Sequence, residues 1–150
     1  GYMELLKIDD LENDEIKLKV KEIYQGNEKI GLLPAYLFDI FNIEHKRVGY
    51  CDLRIGYNEE AYYGGHIGYL IYPPYGGNHY AAKACKLLFQ LAKNFGMTYL
   101  YITCNPDNIP SIKTCEYLEG ELLEITEVPK DSYINRELNE KEECIYQFYL

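Results

Sequence analysis

Apolar and charged positions alternate along the first third of the chain. The segment EIKLKVKEIY places Ile, Leu and Val at alternate positions, which is the period of a strand with one buried face, although its lysines and glutamates also permit a helix. Two further runs, AYLFDIFN and RVGYCDLRIG, are separated by the polar EHK. They predict two antiparallel strands joined by a turn. The preceding QGNEKIGLLP is expected to be a loop with at most a short helical turn.

The hydrophobic period changes in the middle of the chain. GGHIGYLIYP predicts a strand that ends at Pro73 and Pro74, because proline lacks the N–H group that a continuing central strand needs. After Asn78 the apolar residues follow steps of three and four, which predicts a helix that ends at Gly96. Its apolar stripe comprises Ala81, Ala84, Cys85, Leu88, Leu91, Ala92 and Phe95.

The last third predicts one more helix and three strands. MTYLYITC is expected to be a buried strand, and DNIPSIKTCEYLEG a helix with Asn108 as its N-cap. ELLEITEVP and ECIYQFYL complete the pattern as strands. The order of elements predicts a mixed α/β (α+β) fold with a central, largely antiparallel sheet and helices on its faces. The C-terminal strand is expected at an exposed edge where two chains could pair, so a monomer and a homodimer both remain open.

Length and composition predict one domain over residues 1–150. A chain of 150 residues that is 47% hydrophobic can bury about two thirds of its unfolded surface in one core. No window contains the roughly 18 apolar residues of a membrane span. The N-terminal GYMELLKIDDLENDE is acidic rather than basic and then apolar, so we expect a cytoplasmic protein that has no membrane partner.

The cysteine pattern predicts reduced thiols and no metal. The five cysteines are odd in number, widely spaced and free of any C-x-x-C pair. These features disfavour both a disulfide framework and a zinc site.

The charge distribution limits the partners. A net charge of −9 repels the phosphate backbone of nucleic acids, which are therefore not expected to bind. Residues 65–120 contain four lysines and three acids, a net charge of +1, so the rest of the chain carries −10. An anionic ligand is most easily accommodated in this middle segment.

A glycine pair lies where the predicted strand is followed by a helix. Gly76 and Gly77 would let the backbone approach a ligand, and the first N–H groups of the helix form a site for an anion such as a pyrophosphate. A tight turn without a ligand also needs glycine, so both interpretations remain open. The patterns G-x-x-x-x-G-K-[ST] and G-x-G-x-x-G are absent, which disfavours nucleotide hydrolysis and dinucleotide binding.

Two motifs at a characteristic separation resemble those of a known family. Residues 75–81 (YGGNHYA) match a loop of the form Arg/Gln-x-x-Gly-x-Gly/Ala, and residues 108–111 (NIPS) match an Asn-x-x-Ser helix motif about 30 residues later. On these motifs, residues 65–120 resemble the acyl-coenzyme-A-binding core of the GNAT superfamily of N-acetyltransferases. The loop departs from the family pattern, since Gly76 replaces Arg or Gln and His79 replaces the Gly at the fourth position of the pattern.

The resemblance implies an activity and its cofactor. It implies a GNAT-like sheet, acetyl-CoA as co-substrate without a metal, and transfer of the acetyl group to a primary amine by direct attack in a ternary complex. Because the loop departs from the pattern, a catalytically inactive acyl-CoA-binding sensor or interaction module of the same fold is the alternative.

The resemblance also assigns contacts with the cofactor. Amides of residues 77–81 would hold the pyrophosphate, and an N–H group near Ile71 or Tyr72, at a bulge in the strand, would bind the thioester carbonyl. The implied cofactor-binding residues are Ile71, Tyr72, Gly76, Gly77, Asn78, His79, Tyr80, Ala81, Asn108 and Ser111.

Two residues are candidates for proton transfer. His66 precedes the expected bulge by about five residues, near a glutamate of some family members, and an imidazole can accept a proton at neutral pH; a hydrogen-bonded sheet histidine is the alternative. Cys115 stands where many members have the tyrosine that protonates the leaving thiolate, but a cysteine on a helix is more often in the core. Asp52 and Glu124 are lesser candidates for the base.

A cysteine nucleophile, Cys104 or Cys115, is disfavoured because neither has a histidine in a recognisable motif.

Arg54 and Asn58 are the candidates for acceptor binding. They end a strand that the family places beside the acceptor cleft, and Arg54 could bind a carboxylate or phosphate of the substrate or form a surface ion pair instead. The acidic remainder of the chain favours a cationic amine on a small molecule or a peptide.

Overall fold

Two antiparallel sheets form the core of the protein, seen in a computed structural model that describes residues 1–150. The strands are β1 (Leu11–Glu12), β2 (Ile16–Tyr24), β3 (Ala35–Asn42), β4 (Arg47–Arg54), β5 (Ile67–Ile71), β6 (Tyr99–Cys104), β7 (Glu121–Glu127) and β8 (Glu142–Tyr149). The first sheet has the order β1-β2-β3-β4-β5 and the second the order β6-β8-β7. The helices are α1 (Glu59–Gly64), α2 (Tyr80–Asn94), α3 (Ile109–Tyr117) and α4 (Tyr133–Leu138). The predicted mixed class with antiparallel strands is confirmed.

The long predicted elements are all present. β2 is a strand, as its alternating pattern predicts, and it pairs along its length with β3. The loop before β3 contains a single 3₁₀ turn, Glu28–Ile30. α2 ends where Gly96 adopts a φ of +86°, a left-handed conformation that disfavours a Cβ atom. Its apolar face, which includes the fully buried Cys85 and Leu88, packs into a core that both sheets share.

Two short helices, α1 and α4, are not predicted from the sequence. The side chain of Asn58 accepts a hydrogen bond from Ala61 N at 2.8 Å and begins α1, while Ser132 caps α4. A segment of six residues is too short to establish a helical period, so only the caps indicated these helices. α1 contacts α4, β6 and β8. α1 lies on the face of the second sheet opposite the shared core, and α4 packs against α1.

The position predicted for the C-terminal strand is wrong. β8 lies between β6 and β7, and six of its eight residues are buried or half-buried. The exposed edge is β7 instead, where Leu122, Leu123 and Ile125 are more than a third exposed. Because β8 already has a partner on each side, it offers no edge at which a second chain could pair.

The described chain contains neither a membrane-spanning helix nor a metal-binding cluster. No helix has the length and apolar composition to cross a membrane. His, Cys, Asp and Glu side chains nowhere form a group of three that could hold a metal ion. All five cysteines are buried and free of disulfides.

The substitution Gly49→Ala is expected to destabilise the protein by about 2–3 kcal/mol. A Cβ atom on Gly49 would overlap the carbonyl oxygen of Leu70 and lie 3.0 Å from Cα of Ile71. These backbone atoms cannot move away easily because β5 is held by its hydrogen bonds to β4. Urea unfolding measures the loss. The control is Gly96→Ala, where the added atom meets nothing within 4 Å and only the left-handed φ costs about 1 kcal/mol. Equal losses in the two variants would contradict the prediction.

Candidate functional site

The two sheets meet at His66 and separate beyond it. The backbone N–H of His66 donates to Tyr101 O at 2.7 Å, but β5 and β6 do not pair beyond this point. The gap between them widens into a cleft of about 780 Å³, which is within the usual range of about 300–1,000 Å³ for small-molecule sites. The cleft is lined by β5, the loop before α2, the first turns of α2 and α3, the end of β6, and α4.

Free backbone amides are concentrated at the start of α2. Gly76 N–H donates to Pro73 O at 3.2 Å and Lys83 N–H to His79 O at 2.9 Å, but the N–H groups of residues 77–82 have no acceptor in the protein. Gly77 and His79 adopt left-handed φ values of +84° and +57°, so the loop curls directly into the helix. Unpaired amides at the positive end of a 15-residue helix form a site for an anion.

β5 presents a second group of free amides to the cleft. Tyr72 N–H donates to Val48 O at 2.8 Å, and because antiparallel pairing alternates, the amides of Tyr69 and Ile71 point away from β4. They face the gap, where no strand pairs with them. Tyr72 therefore cannot be the predicted carbonyl donor, whereas Ile71 remains a candidate. The β4–β5 register is continuous, so β5 lacks the bulge that the resemblance implies.

A hydroxyl pair lies beside these amides. Tyr69 Oη and Ser111 Oγ are 2.7 Å apart, and both residues line the cleft. Burial raises the pKa of Tyr69 well above its usual value, so the phenol stays protonated at neutral pH. Asn108 holds Ser111 in place, since its side chain accepts a hydrogen bond from Ser111 N at 3.3 Å as the N-cap of α3. Either hydroxyl can donate a proton to a group in the cleft.

His66 is part of the joint between the sheets and does not line the cleft. Its Nδ1 accepts a hydrogen bond from Tyr101 N at 3.0 Å, which requires Nε2 to carry the proton and donate to Gly56 O at 2.8 Å. The side chain is fully buried, and burial lowers its pKa to about 4. With both ring nitrogens bonded to the backbone, His66 has no free position from which to accept a proton from substrate. The geometry agrees with the sheet histidine that the sequence left as the alternative.

Cys115 also lies outside the cleft. Its side chain is fully buried in the shared core, and burial raises the pKa of the thiol well above its usual value. The thiol therefore cannot reach a thiolate in the cleft, and the prediction of Cys115 as the acid lacks a structural basis. The cleft is lined by the Tyr69–Ser111 hydroxyl pair and not by Cys115.

Of the two residues predicted to bind the acceptor, Arg54 lines the cleft and Asn58 does not. Arg54 lines the cleft, where its guanidinium donates to Gly65 O at 3.1 Å and lies 3.4 Å from a carboxylate oxygen of Asp52. Asn58 lies outside the cleft, because both ends of its amide are used in capping α1 and in donating to Gly31 O at 2.8 Å. The prediction of Asn58 as an acceptor-binding residue is therefore replaced by a structural role.

Glu143 is a cleft residue that is not predicted from the sequence. It lines the cleft together with Glu140, is 4% exposed, and has no hydrogen-bond partner for Oε2. Burial, followed by the charge of Glu140, raises the pKa of Glu143 to about 8. The sequence carried one signal, since Glu143 is in phase with Ile145 on the buried side of a strand. A carboxyl group in such a position is a frequent mark of a functional site.

The predicted site residues fall into those that line the cleft and those that lie outside it. The loop histidine His79 is exposed, and its ring stacks on Tyr117 at a centroid distance of 4.4 Å. The predicted residues that line the cleft are Arg54, Ile71, Gly76, Gly77, Asn78, His79, Tyr80, Ala81, Asn108 and Ser111. Those outside it are Asn58, His66, Tyr72 and Cys115.

The split between the sheets, the free amides at the start of α2 and the free amides on β5 together give one cleft two separate sets of hydrogen-bond donors. The family model of the GNAT acetyltransferase domain matches residues 7–120, about three quarters of the chain. The chain therefore belongs to the GNAT acetyltransferase family. No protein of curated function matches the sequence significantly.

Solved structures share the fold at low sequence identity. An acetyltransferase of the GNAT family from Bacillus anthracis aligns with a TM-score of 0.66 and 17% identity, covering 93% of this chain and 98% of that one. The microcin self-immunity acetyltransferase MccE, in complex with acetyl-CoA and AMP, aligns with a TM-score of 0.58 and 20% identity, covering 77% of this chain and 61% of that one. RimL, a ribosomal alpha-N-protein acetyltransferase, aligns with a TM-score of 0.59 and 19% identity, covering 77% and 61%.

Proposed function

We propose that the protein transfers the acetyl group of acetyl-CoA to a primary amine by direct attack in a ternary complex. The observation that supports this most is that one cleft contains two separate sets of unpaired amides, at residues 77–82 and on β5. The first set suits the pyrophosphate of coenzyme A. The second suits a thioester carbonyl between the sheets.

Ile71 is proposed as the donor that polarises the thioester. A backbone N–H that already points into the gap needs no reorganisation when negative charge develops on the carbonyl oxygen, and such preorganised donors are among the largest contributions to catalysis. The loop has no Arg or Gln at Gly76, so the amides of the helix start carry the phosphate contacts. Lys113 lines the same cleft and adds a positive charge.

Two of the structural relatives support acetyl-CoA as the acetyl donor and an amine as the acceptor. MccE is described in complex with acetyl-CoA, and RimL acts on an alpha-amino group of a ribosomal protein. For the present chain we propose acetyl-CoA as the donor and an amine on a small molecule or a peptide as the acceptor.

Binding and turnover can be tested separately. Isothermal titration calorimetry with coenzyme A measures occupation of the cleft, and a thiol reagent measures coenzyme A released from acetyl-CoA in the presence of a panel of primary amines. We expect saturable binding and amine-dependent thiol release. No heat at millimolar coenzyme A would overturn the proposal, whereas binding without thiol release for any amine would favour an acyl-CoA sensor of the same fold.

Ser111→Ala and Tyr69→Phe are each expected to lower kcat about tenfold and to leave coenzyme A affinity within about threefold, because the hydroxyl pair is proposed to donate to the leaving thiolate. Because the two hydroxyls bond to each other, the double variant is expected to lose no more than the worse single variant. Steady-state thiol release measures kcat, and calorimetry measures affinity. Fully multiplicative losses would show that the two hydroxyls act independently.

A further inference from the structure

Glu143 and Glu140 form a carboxyl pair on the far side of the gap from the free amides of α2. In the β6–β8 register Cys104 is opposite Cys144 and Thr103 is opposite Ile145. The two cysteines face the core with α2 and α3. Since side chains alternate along a strand, Glu143 lies with Ile145 and Thr103 on the other face, which is the face that α1 contacts.

The cleft therefore extends through the gap and reaches both faces of the second sheet. Its lining includes Gly77 and Lys113 on the α2–α3 side and Glu143 with Ile134 and Leu138 of α4 on the other. A thioester held from the first side and an amine that enters from the second side would meet between β5 and β6. This arrangement keeps the two substrates from competing for the same entrance.

The fold itself does not account for Glu143. A buried carboxyl group costs stability unless it is paired, and Oε2 has no partner. The nearest lysine in sequence, Lys141, is directed to Asn135 instead, with 2.5 Å between Nζ and Oδ1. The other titratable groups that act on Glu143 or respond to it are Glu140, Cys104 and Cys144, none of which is a cation.

We propose that the carboxyl pair binds the acceptor as an alkylammonium ion and that Glu143 accepts its proton. This inference rests on the proposed function and names the substrate class and the general base for it. An entering cation stabilises the ionised form of Glu143, so the empty pair holds a proton that the ammonium displaces. Ile134 and Leu138 provide apolar walls for an aliphatic stem.

The proton balance of the step is complete. The ammonium gives one proton to the Glu143 carboxylate, and the resulting amine attacks the thioester carbon. A C–N bond forms, the C–S bond breaks, and the sulfur leaves as a thiolate. The second proton on nitrogen passes to the thiolate through the Tyr69–Ser111 hydroxyl pair, giving an amide and coenzyme A. Glu143 keeps this proton after the product leaves, and the next ammonium ion displaces it to solvent.

The kinetic test compares two glutamines at adjacent positions. Glu143→Gln keeps the shape of the side chain but cannot accept the proton, and kcat/KM with 1,4-diaminobutane is expected to fall about 100-fold. Glu142→Gln, on the exposed opposite side of the strand, is expected to retain wild-type activity. With aniline, which is uncharged at neutral pH, the two variants are expected to differ less than about threefold because the acceptor has no ammonium proton to lose.

A second measurement does not require turnover. The side-chain carboxyl of Glu143, labelled with ¹³C and assigned by comparison with Glu143→Gln, is followed by NMR as a function of pH. We expect a midpoint near 8 that falls by at least about one pH unit on addition of 1,4-diaminobutane or in Glu140→Gln. A structural carboxyl would respond to Glu140→Gln but not to the amine.

The outcomes separate this inference from the proposed function. If coenzyme A does not bind, the proposed function fails, while the NMR titration with the amine still decides whether the carboxyl pair is an ammonium site. If coenzyme A binds and diaminobutane is acetylated equally by wild type and Glu143→Gln, the proposed function stands and Glu143 is not the base. An amine-insensitive NMR midpoint overturns the ammonium site.

Discussion

Replacing Gly77 by Asp is expected to weaken coenzyme A binding about 100-fold. The new carboxylate would lie among the unpaired amides of residues 77–82, where it both occupies them and repels the pyrophosphate. At about 5 Å and an effective dielectric constant of about 20, one pair of like charges costs about 3 kcal/mol. Calorimetry measures the affinity, and the loss is expected to shrink as salt is added because the loop is exposed.

Two matched variants separate charge from shape. Gly77→Asn has the same size and tolerates the left-handed φ equally well, so we expect its affinity within about fivefold of wild type. Gly96→Asp places the same charge in the same backbone conformation at the other end of α2, where a Cβ atom also meets nothing within 4 Å. It is expected to leave coenzyme A binding unchanged. Equal losses in Gly77→Asp and Gly77→Asn would show that the amides do not hold an anion.

Replacing His66 by Ala is expected to destabilise the protein by about 3–5 kcal/mol. The ring joins the two sheets, since it accepts from Tyr101 N and donates to Gly56 O. Its removal leaves a cavity and two partly buried backbone groups without a partner. Urea unfolding measures the loss.

The variant His66→Gln is the control for this prediction, because an amide can accept from one backbone group and donate to another. It is expected to recover at least half of the stability lost in His66→Ala and to retain acetyl transfer. A His66→Gln protein that is fully stable, binds coenzyme A and has lost all activity would restore His66 as a candidate base.

The pH dependence of unfolding provides a second test of His66. Its pKa is about 4 in the folded state and about 6.5 in the unfolded chain, so the unfolded chain binds more protons between these values. The contribution of His66 to stability is complete above pH 6.5 and is lost as the pH falls toward 4, by up to about 3 kcal/mol. Subtracting the His66→Gln profile isolates this contribution from the carboxyl groups. If the difference in unfolding free energy between wild type and His66→Gln does not change with pH, the ring of His66 is not held buried and neutral in the folded state.

The parts of the fold that were predicted correctly are the long elements with a local period. Seven apolar positions predict α2 and alternation predicts β2, because one buried face in a strand or helix imposes a repeat that is visible in the sequence. β3, β4 and β6 are predicted from apolar runs that end at polar turns. α1 and α4 have only six residues each, and their caps were the only signal. The prediction of β8 as an edge failed because strand order depends on contacts between distant segments.

More of the predicted loop residues than of the predicted catalytic residues line the cleft. Gly76, Gly77 and Ser111 belong to contiguous motifs, and contiguous motifs keep their geometry in any context that preserves the strand–turn–helix order. A proton acceptor is defined by burial and by its neighbours, which a motif does not contain. The resemblance and the usual pKa of histidine both point to His66 as a base, but burial and two backbone partners give it a structural role instead.

The sequence by itself determined the acidic charge, the class of fold and the glycine-rich entry to α2, because these follow from composition and from local periodicity. Only the tertiary structure decided that β5 and β6 separate at His66, that the amide of Ile71 faces the gap, and that Glu143 lies buried beside Glu140. Each of these depends on which segments far apart in the chain come to lie together. The unpaired amides and the raised pKa of Glu143 result from that packing.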